Sequence, residues 1–314
     1  MTYNPSMKIQ NPPVDHLQSI INLYNQGLLQ QALSESSQML ERFPNSIVLY
    51  NIAGASNLGL MQFDDAIDNY KQALKIKPDY AETYYNMGVA LKNKDDPEAA
   101  IDSYKQALKI KPDYAEVYYN MGIALTDKGD FEAAIDSYKQ ALKIKPDYAE
   151  AYNNMGNALM DKDNPEAAID SYKQALKIKP DYAEAYNNIG AALTDKGDFE
   201  AAIDSYKQAL KIKPDFADVY INMCEAYEKS NKLAELSEVI SRAKTVLKEF
   251  PNDLLFYEAL YNFRSNNYEH CEKLISLVNI DQVGLIRRPL FLQLKAKLHH
   301  YQKNYKSAFN SFAE

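Results

Sequence analysis

The chain has 314 residues, 46% of them hydrophobic and 25% charged, with a net charge of −8. Such length and composition suit a large core, and the negative balance counts against broad nucleic-acid or anionic-membrane binding. Cys224 and Cys271 make neither a disulfide framework nor a CxxC pair, which points to a reducing compartment such as the cytoplasm, and no run of 18 apolar residues exists to insert into a membrane.

Residues 1–12 are polar and lack the apolar core of a signal peptide, so a flexible N-terminal segment is expected there. From residue 13 a period of 34 residues takes over, marked by Pro44, Pro78, Pro112, Pro146, Pro180 and Pro214. It defines units at 13–46, 47–80, 81–114, 115–148, 149–182 and 183–216, with regular text over 47–216. A longer unit from 217 completes an array of seven over 13–253.

Each unit reads as two helices. The first opens after K-P-D, where Asp147 and Glu150 form a D-x-x-E pattern similar to a capping box. It stops near Gly129 or Gly197 in two units, where glycine can turn left-handed. The second starts after Asp130, Asn164 or Asp198, with Pro97 and Pro165 following the cap in two units. Ala134, Ile135, Tyr138, Ala141 and Leu142 then recur at helical spacing, and lysines and a proline end the helix. Two weaker units are expected over 254–314, near 252–286 and 289–314, the last stopping inside its second helix at KNYKSAFNSFAE. Phe309 and Phe312 would lie uncovered on a terminal face without a polar cap, which suggests a truncated array or one that self-associates into a homo-oligomer through this end.

In the unit 149–182, Tyr152, Gly156, Ala168, Tyr172, Ala175 and Pro180 fall at positions 4, 8, 20, 24, 27 and 32. The chain closely resembles the tetratricopeptide repeat (TPR) family, whose signature has an aromatic, a small residue, Ala, an aromatic, Ala and Pro there. The resemblance implies an all-α, right-handed superhelix of about eight to nine helix–turn–helix repeats, with first helices lining a concave groove. Cys224 and Cys271 fall at small-residue positions of the signature and read as buried packing residues.

No phosphate loop, HExxH, GxSxG or GxGxxG motif is present, and neither a metal site nor a cofactor is expected. Function is instead expected on the groove. By the resemblance, position 6 supplies a ladder of Asn86, Asn120, Asn154, Asn188 and Asn222, and position 5 supplies Tyr85, Tyr119, Asn153 and Asn187. Asn157, Glu116, Glu150, Asp127 and Asp161 complete the candidate peptide-binding set. A carboxamide can pair with a peptide group in either direction. Structural bonding between helices and simple duplication of the repeat are the other accounts of these asparagines.

The ladder looks like that of the TPR region of O-linked N-acetylglucosamine transferase, which binds substrate peptides this way. Units 81–216 hold 24 acidic and 17 basic residues, so the implied partner is an extended, neutral to basic protein segment. The C-terminal text more weakly resembles TPR regions that precede a sulfotransferase domain in some bacterial proteins. The chain therefore reads as a non-enzymatic interaction scaffold; the alternatives are the recognition arm of a larger transferase and a self-associating array. Arg287 and Arg288 form the most basic point and read as a solvated loop, or as a docking point for an acidic partner.

Overall fold

The computed structural model describes residues 12–285 and 287–312, with side chains up to residue 301 and at 303. Eleven of the twelve residues expected to form a flexible segment lie outside this range, as do the side chains of Phe309 and Phe312. The described residues fold as helices, with no strand among them. The chain divides between Asp163 and Asn164 into two compact units.

The first unit contains α1 (Val14–Asn25), α2 (Leu29–Arg42), α3 (Ile47–Gly59), α4 (Phe63–Ile76), α5 (Ala81–Asn93), α6 (Pro97–Ile110), α7 (Ala115–Asp127), α8 (Phe131–Ile144) and α9 (Ala149–Asp161). The second contains α10 (Pro165–Ile178), α11 (Ala183–Asp195), α12 (Phe199–Ile212), α13 (Ala217–Lys229), α14 (Leu233–Val246), α15 (Asn252–Arg264), α16 (Tyr268–Leu277), a 3-10 turn (Ile280–Gln282) and α17 (Arg288–Phe312).

Second helices start where the text places them. The side chains of Asp96 and Asp130 accept from Ala99 N and Ala133 N at 3.1 and 3.2 Å, and Asn164 and Asp198 repeat the cap in the second unit. The turn before each cap is a left-handed stop. Gly129 has φ 81° there, and Asp130 N reaches back to Leu125 O at 2.9 Å. Asp95, Asp163 and Asn231 take the same conformation without glycine, as short polar side chains tolerate.

First helices start differently from the expectation. Tyr148, not Asp147, is the N-cap of α9, and no side chain caps that helix. The K-P-D-Y segment folds into a turn that leaves the aspartate one residue too early to reach the first free N–H groups. The aromatic is fixed instead by its own turn: Lys111 Nζ lies 4.2 Å from the Tyr114 ring centre and Lys145 Nζ 4.5 Å from that of Tyr148.

The core is a knob in a hole, repeated. Tyr70, Tyr104, Tyr138 and Tyr206 are all buried, and each covers a glycine of the preceding first helix. A Cβ on Gly122 would lie 2.5 Å from Tyr138 Cε1, so only hydrogen fits. This close approach seats α7 against α8 and repeats through both units.

The end of the chain departs from the expected pair of short helices. Residues 288–312 form one continuous helix. The text around Lys303–Asn304 has no glycine or proline to break it.

Candidate binding face of the first helices

In the first unit α3, α5, α7 and α9 touch in succession; in the second α11, α13 and α15 do. Successive second helices make no comparable approach among the described residues. Within each unit the row of first helices is therefore the tighter, inner face.

The position-6 asparagines project along this face, but not as free amides. Asn120 Nδ2 donates to Tyr85 Oη at 3.2 Å and to Glu116 O at 2.9 Å. Asn154 Nδ2 donates to Tyr119 Oη at 3.1 Å, and in the second unit Asn222 Nδ2 donates to Asn187 Oδ1 at 3.0 Å. Each of these bonds runs from position 6 back to position 5 of the preceding repeat. Because Glu116 O can only accept, the Asn120 amide orientation is fixed with its oxygen turned away. That oxygen has no hydrogen-bond partner among the described residues. Asn86 and Asn188 are also half-buried on this face.

Asn153 is a correction. Expected at the groove, it is 5% exposed and donates to Asn154 Oδ1 at 3.4 Å. Tyr85 and Tyr119 at the same register are long enough to emerge and lie against Tyr114 and Tyr148, at centroid distances of 5.4 and 4.7 Å. A short asparagine stays below its neighbours. Asn187 remains half-buried and bridges Asn222 to Asn188. Of the remaining candidates, Asn157 and Glu150 are half-buried, and Glu116, Asp127 and Asp161 are exposed, with Lys92 Nζ 3.9 Å from Asp127.

Electrostatics concentrate on the two tyrosine pairs. Burial and then the Glu116 charge push the Tyr85 hydroxyl up, partly offset by its bond from Asn120. Burial and then Glu150 do the same at Tyr119. Tyr114 is pushed to about 12 by burial, with Tyr85, Glu82 and Glu116 adding to it. Each Tyr–Tyr pair thus sits in the negative field of a first-turn glutamate.

In the second unit the structure overturns the reading of Arg287 as solvated. Its side chain is 17% exposed. Nη2 donates to Glu225 Oε2 at 2.7 Å and to Asn222 Oδ1 at 3.4 Å; Nε donates to Tyr257 Oη at 3.2 Å; Nη1 lies 3.5 Å from Asp253 Oδ1. Beside it a cleft of about 500 Å³ is floored by Phe256, Leu260, Phe263, Leu290 and Leu294. Arg288 donates to Val283 O and Asp281 O, tethering its own loop. Cys224 and Cys271 are buried, and burial raises the Cys271 thiol to about 11. Among the described residues no group of three His, Cys, Asp or Glu side chains is placed to hold a metal, and no helix is long and apolar enough to cross a membrane.

Comparison with known proteins gives the class. Profiles described as "TPR repeat" match residues 62–95, 96–126 and 122–163, and profiles described as "Tetratricopeptide repeat" match 147–215 and 193–260. Together they span more than half of the chain, which belongs to the tetratricopeptide repeat family. The probable UDP-N-acetylglucosamine–peptide N-acetylglucosaminyltransferase SEC of Arabidopsis thaliana is 36% identical over 76 residues; the match covers 24% of this chain and 8% of that protein. The crystal structure of MamA protein is 31% identical, with a TM-score of 0.50 over 55% of this chain and 94% of that one. A tetratricopeptide repeat protein from Parabacteroides merdae matches at 15% identity and a TM-score of 0.62, covering 82% of this chain and 98% of that one, and bears on the fold alone. The repeats make the chain a protein–protein interaction scaffold.

Proposed function

We propose that the first-helix face binds an extended segment of a partner protein by its main chain. The observation that carries this reading is the orientation of one rung, Asn120; at Asn154 the oxygen already accepts from Asn153, which leaves it one lone pair. Asn120 directs both N–H donors inward, to Tyr85 and Glu116, and leaves its oxygen as an acceptor. A rung of this kind accepts one backbone N–H whatever side chain follows it. Neighbouring first helices pack at about 8–10 Å, and an extended chain advances about 3.3–3.6 Å per residue, so one rung meets about every third residue. Structural bonding and ligand binding are then two uses of one carboxamide rather than alternatives.

The test replaces Asn120 and Asn154 together with Ala and measures binding to an array of 12-residue peptides beside thermal stability. Binding of every positive peptide is expected to fall about tenfold, the equivalent of two backbone hydrogen bonds at about 0.7 kcal/mol each. Unchanged binding in a folded double variant refutes the reading.

A second reading is supported by the match to the Arabidopsis transferase. In it the same face is the recognition arm of a larger enzyme, and the bound segment is a substrate protein. Sequencing the gene beyond codon 314 tests it: an in-frame transferase domain supports it, and a stop codon there refutes it.

A further inference from the structure

The second unit holds a guanidinium on its own first-helix face. Arg287 meets a tyrosine hydroxyl, a glutamate and a ladder asparagine, contributed by the adjacent first helices α15 and α13. Its guanidinium carbon also lies 5.9 Å from the Tyr257 ring centre. These three partners suit a guanidinium for separate reasons; a fourth, the Asp253 carboxylate 3.5 Å from Nη1, has no counterpart in the first unit. Glu225 supplies charge, Asn222 an acceptor oxygen, and Tyr257 both a hydroxyl lone pair and a π-face.

The same three chemistries recur twice in the first unit, again on adjacent first helices. Tyr85 of α5 is bonded to Asn120 of α7, one turn after Glu116. Tyr119 of α7 is bonded to Asn154 of α9, one turn after Glu150. In both, the second ring of a tyrosine pair widens the aromatic surface. Glu116 is exposed and has no ion pair among the described residues.

Resting on the peptide-binding reading above, we infer that these two Tyr–Glu–Asn sets are subsites for arginine side chains of the bound segment, one per repeat. Their spacing specifies the ligand further. Adjacent first helices stand about 8–10 Å apart. In a β-strand side chains alternate, so residues i and i+3 point to opposite sides. A polyproline II helix repeats every three residues with a rise of about 3.1 Å each, which puts i and i+3 on one side about 9 Å apart. The ligand is thus an Arg-x-x-Arg segment in polyproline II conformation. Lysine fits less well, because its ammonium lacks the planar fork that reaches a carboxylate, an amide oxygen and a ring together.

The experiment selects from a phage-displayed library of random 12-residue peptides on the full chain, then measures the enriched peptides by fluorescence anisotropy. Enrichment of arginines three apart is expected. Replacing either arginine with glutamine should weaken binding about tenfold. The Glu116→Gln/Glu150→Gln variant should bind the arginine peptide at least about tenfold more weakly and a peptide with both arginines replaced by glutamine unchanged. Binders without paired basic residues that still depend on Asn120 and Asn154 overturn this inference and leave main-chain binding standing. No enrichment, or binders insensitive to both pairs of substitutions, overturns both.

Discussion

Tyr104 and Tyr138 occupy the same position in successive, nearly verbatim repeats, yet removing their hydroxyls should move stability in opposite directions. Both rings are at most 1% exposed. Tyr138 Oη lies 3.4 Å from Thr126 Oγ1, which in turn donates to Gly122 O at 3.0 Å. The residue equivalent to Thr126 one repeat earlier is Lys92, and the Tyr104 hydroxyl has no hydrogen-bond partner among the described residues. A buried, unsatisfied hydroxyl costs about 1–3 kcal/mol, whereas one hydrogen bond at the long end of the range contributes about 0.5 kcal/mol. Tyr104→Phe should therefore stabilise the chain by about 1 kcal/mol and Tyr138→Phe destabilise it by about 0.5 kcal/mol. Lys92→Thr should recover part of the gain by supplying the missing partner. Tyr206, paired with Thr194 at 3.2 Å, should follow Tyr138. Urea denaturation followed by circular dichroism reads the midpoints. The two second helices differ only at their first residue, Pro97 or Phe131, so differences in propensity around the tyrosines do not intrude. Midpoints that move the same way for Tyr104→Phe and Tyr138→Phe would refute the hydrogen-bond reasoning.

Three further outcomes follow from the same contacts. Asn120→Ala loses an inter-repeat bond of about 0.5–1.5 kcal/mol and regains about 0.5 kcal/mol of helix propensity. Its net cost should be at most about 1 kcal/mol, and a double-mutant cycle with Tyr85→Phe should show coupling of about 0.5 kcal/mol, where zero coupling denies the bond. Arg287→Ala leaves the half-buried Glu225 and the buried Asp253 without their shared cation, so the second unit should lose about 2–4 kcal/mol; an unchanged calorimetric profile contradicts that. Burial raises the hydroxyls of Tyr70, Tyr104, Tyr138 and Tyr206 above their ordinary value of 10.0. The neutral form is thus favoured in the fold, the contribution is complete below pH 10, and it is lost as pH rises from there. Urea midpoints should be flat below about pH 8.5, begin to fall near about pH 9 as the buried Cys224 and Cys271 thiols are drawn to ionise, and fall steeply above about pH 10; a flat profile to about pH 11.5 is inconsistent with buried tyrosines.

How much the amino-acid text reveals depends on the range of the interaction. Pro112, Gly129 and Asp130 act within a few residues, so the helix pairs are legible from their spacing. The glycine–tyrosine pairs are legible too, because Gly122 and Tyr138 are near in sequence and recur every 34 residues. The depth of a side chain on the inner face is not. Asn153 and Asn154 are neighbours in one helix and identical in chemistry, yet one is buried and the other half-buried. Arg287 was further out of reach. Its partner Glu225 lies 62 residues away, outside any repeat period, and nothing local marks an arginine that is destined for a buried network. The D-x-x-E pattern misled for a smaller reason: a proline turn shifts the helix start by one residue, and a cap tolerates no such shift.

The central claim is that a partner segment lies along the first helices rather than the second. A photo-crosslinking residue at Ile123, half-buried on the face of α7, addresses it directly against the same residue at Lys139, exposed on α8. With a selected peptide bound, crosslinks should form from position 123 and disappear when unlabelled peptide competes, while position 139 gives none. Competable crosslinks from position 139, with none from 123, would contradict the account.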